Sequence, residues 1–291
     1  MIVLSVFIMC PGSLIKVEFI LTASHCKQAM MNVAKEEKQK LNNTVKWKVI
    51  IGATYLNPLD YYEDYQNSNY NYGDYEEEEV INYDFKITNM WIHPEYVQGK
   101  KYYDVAIIKL DQRAQLGQYD LQVINVVCLP SKANPEVDAH KGRNIYVTGY
   151  GKLEDTKENS NQTLSQIDLE IYPSELCGQI HQGGSDKILP LLKSELPKGF
   201  NYKSSLSCAH HGGRSTCFGD SGGPVMLTRY SSPTDKLKLK HFEQIGVVQG
   251  SYNIGCKASG PNSDYPSIFT RLEQNEIYDF IQSKTDLSRI N

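Results

Sequence analysis

No two of the seven cysteines stand in the C-x-x-C spacing of a zinc site, so disulfides are the better reading and no metal centre is expected from them. No run is long and apolar enough to span a membrane. The apolar opening Met1 to Met9 lacks the basic residues of a leader and runs straight into Cys10, which suggests a buried strand in place of a signal peptide. There is no glycine-rich nucleotide loop, redox-cofactor signature or nucleic-acid-binding pattern, and Lys and Arg are absent between Asp60 and Glu79.

What remains is a chain of 291 residues, 40% hydrophobic, long enough to bury substantial cores as one all-β unit. Many short strand-like runs separated by turns point to β-barrels. Only the end, Leu272 to Lys284, reads as a helix, with Ile277, Phe280 and Ile281 at helical spacing.

The most informative stretch is Cys217-Phe218-Gly219-Asp220-Ser221-Gly222-Gly223-Pro224, which sets a nucleophile between glycines. Its core, Gly219-x-Ser221-x-Gly223, also fits the strand-to-helix elbow of an α/β-hydrolase. An elbow is followed by an acid and then a histidine, and only His241 follows Ser221, so that reading fails. Upstream, Leu21-Thr22-Ala23-Ser24-His25-Cys26 places a candidate base after a buried run. Tyr103-Asp104-Val105-Ala106-Ile107-Ile108 places a candidate acid at the head of another. The other six histidines, including His210 and His211, read as surface or structural residues.

These segments are joined by Cys10-Pro11-Gly12-Ser13-Leu14-Ile15, Trp91-Ile92-His93-Pro94, Val127-Cys128-Leu129-Pro130 and Val147-Thr148-Gly149-Tyr150-Gly151. Together they resemble the chymotrypsin-like serine peptidases from Cys10 to the terminal helix. The resemblance implies one peptidase domain over residues 1–291. It would hold two six-stranded β-barrels, about 1–130 and 131–271, and a helix at about 272–284, with the first strand region truncated. Catalytic residues would lie in the cleft between the barrels.

It also implies roles. A serine hydroxyl needs a base to take its proton during attack, and His25 would be that base for Ser221. Asp104 would hold the ring tautomer, and the backbone amides of Gly219 and Ser221 would form the oxyanion hole. By resemblance Cys10 pairs with Cys26, Cys177 with Cys208 and Cys217 with Cys256. Cys128 is left over, at a position that in many members is bridged to an upstream regulatory segment. Asp220 matches the acid that pairs with the amine freed on activation. Ile2 precedes Cys10 by only eight residues, too few for the strand that delivers such an amine, so a fragment of a longer protease is the expectation. Disulfides and family together imply secretion.

In the specificity pocket the position two before Cys217, which sets the floor charge in the family, is Ser215. With Thr216 it makes a neutral floor, and Ser267, where glycine is usual, narrows the pocket. The opposite wall aligns in two registers, one through Gln249-Gly250-Ser251 and the other through Ser251-Tyr252-Asn253. A small or medium uncharged residue at the cleaved position follows, not Arg or Lys.

Asp60 to Glu79 holds eight acids and six tyrosines. Without those acids the net charge of −4 would become about +4. A solvated loop, a calcium loop and an exosite for a basic protein partner are the three readings, and length with Asn and Gly content favours the exosite over calcium. Sulfation of its tyrosines is a further reading. Asn42-Asn43-Thr44 and Asn161-Gln162-Thr163 are glycosylation sequons. The long excursion between Cys177 and Cys208 suggests restricted specificity. Two function classes stand: a secreted endopeptidase of limited proteolysis acting on protein substrates, and a protease-fold protein that binds without catalysis.

Overall fold

The computed structural model describes residues 10–41, 47–52, 84–99, 102–119, 122–132, 142–151, 164–173, 206–211, 215–230, 240–251 and 266–286. The acidic insert, both sequons, Cys177, Cys256 and the opening Met1 to Met9 lie outside these residues.

Two β-barrel-like sheets carry the fold. The first is a five-stranded antiparallel sheet in the order β1-β2-β5-β4-β3. Its strands are β1 (Ser13–Lys16), β2 (Phe19–Thr22), β3 (Lys48–Ile50), β4 (Asp84–Ile92) and β5 (Ala106–Leu110). A separate ribbon pairs β6 (Gly117–Tyr119) with β7 (Gln122–Ile124). The second is a closed barrel in the order β10-β13-β12-β11-β8-β9. It comprises β8 (Asn144–Gly149), β9 (Ser165–Ile171), β10 (Leu206–His210), β11 (Pro224–Tyr230), β12 (Lys240–Ser251) and β13 (Ser267–Arg271).

The expected six strands are therefore present in the second barrel, while the first is an open half-barrel among the described residues. Its edges, β1 and β3, are four and three residues long. Edges that short offer little ladder for closure.

The apolar run from Val105 to Ile108, which leads into β5, is explained by its neighbours on both faces. Val105 and Ile107 enter one cluster with Leu21, Val247, Leu272, Ile277 and Phe280. Ala106, Ile108 and Leu110 enter another with Leu14, Ile20, Phe85 and Met90. Alternate residues of one strand thus hold two cores, as period-two geometry requires. The first cluster also locks the half-barrel to the second barrel and to the terminal helix α2 (Asn275–Thr285), whose buried face is Ile277, Phe280, Ile281 and Thr285.

One expectation is corrected. The terminal helix is not the only one, because Ser24–Leu41 forms an 18-residue helix, α1. Its apolar residues make no clean stripe, so periodicity misses it. The run contains no Gly or Pro and is rich in Ala, Met, Lys, Glu and Gln, so backbone propensity sustains it.

Candidate active site

His25 occupies the first turn of α1, immediately after buried strand β2. Ser24 does not cap the helix with its side chain; its hydroxyl donates to the Val105 carbonyl at 2.6 Å and ties the helix start to β5. The disulfide Cys10–Cys26 anchors the next residue, with Cα atoms 6.0 Å apart. His25 is thereby held from both sides.

Asp104 is buried and receives two bonds from one residue. The His25 backbone N–H donates to Oδ1 at 2.9 Å, and ring Nδ1 lies 2.6 Å from Oδ2. Because an ionised carboxylate only accepts, that second bond fixes the proton of neutral His25 on Nδ1 and leaves Nε2 as an acceptor. The ring is one-third exposed and the acid only 3%. Burial, together with the charge of Asp104, pushes the Tyr96 hydroxyl up to about 12.

The residue before Asp104 has unusual backbone. Tyr103 has φ of 54°, left-handed for a bulky side chain, a strain that must be offset by its surroundings. Its ring stacks on His93 at 4.6 Å with 5° between planes, and His93 Nε2 lies 3.2 Å from the Glu276 carbonyl of α2. Burial lowers the His93 pKa, opposed by that hydrogen bond and by the charges of Glu95 and Glu276. The terminal helix therefore supports the acid's position, a role its distance in sequence conceals.

Ser221 comes from the loop before β11. Gly222 packs so closely on Pro11, Thr22 and Ala23 that a side chain there would collide with them. The Ser221 carbonyl lies 3.6 Å from Cys26 Sγ, a contact only, since a disulfide sulfur has no proton to give. These contacts bring the serine loop against the His25 segment. The Ser221 hydroxyl makes a long bond of 3.4 Å to the Gln249 carbonyl, and no His25–Ser221 hydrogen bond forms among the described residues.

The loop's main chain is organised by Asp220. Its Oδ1 accepts from Gly151 N–H and its Oδ2 from Cys217 N–H, both at 2.8 Å. A Cβ on Gly149 or Gly151 would collide with this carboxylate and displace it from its two amides. Burial pushes the Asp220 carboxyl above its ordinary pKa, while the two amides oppose the shift. Gly219 has φ of 102°, a conformation open to glycine. Besides Cys217, three loop amides are engaged: Asp220 to Cys217, Gly222 to Val248 and Gly223 to Asp220. The amides of Phe218, Gly219 and Ser221 donate to no described residue.

At the expected pocket floor, three hydroxyls satisfy one another. Ser267 Oγ accepts from Thr216 N–H at 2.8 Å and from Thr216 Oγ1 at 3.1 Å. Ser215 Oγ donates to the Thr216 carbonyl at 3.2 Å, so the proton between Ser215 and Ser267, 3.4 Å apart, belongs to Ser267. Ser251 pairs with Ser267 through the backbone. The strand residue that meets Ser221 is Gln249, and Tyr252 and Asn253 of the second register lie outside the described residues.

Cys208 and Cys217 are each disulfide-bonded, to residues outside those described. Cys128 is free and exposed. Among the described residues no cluster of side chains could hold a metal ion, and no helix is long and apolar enough to cross a membrane.

The Trypsin family model matches residues 62–281. The chain is 25% identical over 263 residues to the Drosophila melanogaster "Serine protease snk", covering 90% of this chain and 46% of that protein. It is 26% identical over 265 residues to the "Clotting factor G beta subunit" of Tachypleus tridentatus, covering 91% and 67%. It thus spans about half the length of the first relative and two thirds of the second. The solved structure of neuropsin, described as a serine protease expressed in the limbic system of mouse brain, aligns at a TM-score of 0.59 with 19% identity, covering 96% of this chain and 89% of that one. The family match begins after His25, whereas both relatives align over most of the chain.

Proposed function

Because the chain belongs to the trypsin family, we propose that it is a serine endopeptidase using His25, Asp104 and Ser221. The observation that carries this reading is a division within one loop: the amides of Asp220, Gly222 and Gly223 donate to backbone carbonyls and those of Gly219 and Ser221 donate to no described residue, beside a His25–Asp104 pair locked at 2.6 Å. Two N–H groups without a described partner are what a developing oxyanion requires.

In the reaction, the Ser221 hydroxyl turns from Gln249 toward His25 Nε2, a side-chain rotation, and its oxygen attacks the scissile carbonyl carbon. Nε2 takes the proton, and Asp104 stabilises the resulting imidazolium without itself being protonated. The Gly219 and Ser221 amides hold the oxyanion. Collapse expels the amine, which takes the proton from Nε2, and leaves Ser221 acylated. Water repeats the cycle in reverse roles and releases the acid.

The self-satisfied, uncharged floor of Ser215, Thr216 and Ser267 offers no carboxylate to a cation and suits a small or medium uncharged residue. Preferential cleavage after Arg in a peptide library would contradict this.

The remaining features give the setting. The protein is proposed to be secreted and to act in limited proteolysis, with exposed Cys128 joining it to a regulatory segment. Asp220 would pair with an activation amine, and the acidic stretch from Asp60 would recruit a basic protein partner. Deleting that stretch without changing cleavage of a protein substrate would contradict the last proposal.

The second reading, a binding protein without catalysis, draws on the Ser221 hydroxyl facing Gln249 and not His25. A serine-directed fluorophosphonate separates the two. Labelling of the activated protein that disappears in Ser221→Ala supports the peptidase, and absence of labelling in the wild type overturns it.

A further inference from the structure

We propose that Gln249 is a positioning residue that registers the serine half of the site against the carboxylate half. The inference rests on the peptidase reading and adds a residue to it. Asp104 belongs to the half-barrel and Ser221 to the closed barrel, so their relative placement depends on what crosses between the sheets.

Gln249 lies at an irregularity in the pairing of β12 with β13. Val248 opposes Phe269 and Gly250 already opposes Ile268, which leaves Gln249 as the extra residue of a β-bulge. Gly250, with φ of 129°, completes the distortion. A bulge re-aims the groups of the residue it displaces. Here it turns the Gln249 carbonyl toward the Ser221 hydroxyl at 3.4 Å and its side chain toward Thr270 on β13.

The side-chain arm is directional. Gln249 Nε2 donates to Thr270 Oγ1 at 2.6 Å, and both residues are buried. A hydroxyl that accepts there has one proton left, and it points to the Asp104 carbonyl at 3.4 Å. One residue therefore touches the serine through its main chain and, one hydroxyl removed, the main chain of the acid. A buried donor–acceptor chain of this kind couples its members, because removing one takes away its neighbour's partner.

The test uses near-isosteric changes. Gln249→Met removes the donor without burying a charge, Thr270→Val removes the hydroxyl, and Thr270→Ser restores it. Gln249→Met and Thr270→Val are each expected to lower kcat about tenfold with little change in KM, and the double variant to be no worse than either alone. Thr270→Ser should keep wild-type kcat. The downfield proton resonance of His25 Nδ1, which reports the His25–Asp104 bond whether or not the protein turns over, should shift in both single variants and not in Thr270→Ser. Unchanged kcat with an unmoved resonance in folded variants, or losses that simply add, would overturn the proposal. If the wild type takes up no fluorophosphonate, the peptidase reading fails separately. The resonance then decides the Gln249 linkage by itself.

Discussion

The half-barrel and the closed barrel build their parts of the site by different means. In the half-barrel, position is set by side chains: Ser24 on Val105, the Cys10–Cys26 bridge, and a carboxylate gripped by both the backbone and the ring of His25. In the closed barrel, position is set by main chain: a glycine loop threaded over Asp220, with some amides bonded and others donating to no described residue. Proton transfer needs a particular imidazole tautomer, which the Asp104 carboxylate selects for His25. Charge stabilisation needs several donors converging on one point, which a curled backbone supplies with no side-chain entropy to lose.

That division can be broken from either side. Asp104→Asn replaces an acceptor with a group that can present N–H to Nδ1, so the imidazole adopts the other tautomer. Turnover should fall about 10⁴-fold with the fold intact by circular dichroism. Gly219→Ala forces a side chain into φ of 102° against Gly151 and should displace its amide, lowering kcat by about 10²–10³ while leaving the His25 resonance unchanged. A Gly219→Ala variant that moved that resonance would mean the halves are not built separately.

Smaller effects sharpen the same contrast through stability. Ile107→Ala empties a site in the cluster shared by both sheets and α2 and should cost about 2–5 kcal/mol in chemical denaturation. Leu227→Ala opens a cavity in the cluster confined to the closed barrel, and its cost should fall in the same range without altering the His25 resonance. The smallest effect concerns His93. Its pKa is lower folded than unfolded, so its contribution to stability is fully present above 6.5 and is lost as pH falls from there through the folded pKa. His93→Gln should flatten the stability profile in that window, where one proton contributes at most about 1.4 kcal/mol per pH unit.

Much of this architecture is legible in the chain. Short apolar runs bounded by turns announce an all-β protein, and Ile277, Phe280 and Ile281 announce the terminal helix. His25 and Asp104, which meet in the structure, each stand at the end of an apolar run, a pattern one sequence carries. Helix α1 escapes because propensity, and no apolar stripe, sustains it. The open half-barrel escapes because closure depends on edge lengths that residue patterns do not state. Gln249 escapes for a third reason. Its position is created by a bulge, and a pairing irregularity is a property of two strands that neither reveals alone. Tyr103 is similar, since its strained backbone is held by His93 and the distant Glu276 carbonyl.

The central claim is that the two halves meet to activate one serine, and the measurement that tests it most directly is the mass of the peptide carrying Ser221 after fluorophosphonate treatment of the activated protein. The account predicts a single adduct on Ser221 that is lost in His25→Ala. An adduct elsewhere, or one on Ser221 whose rate ignores His25, would contradict it.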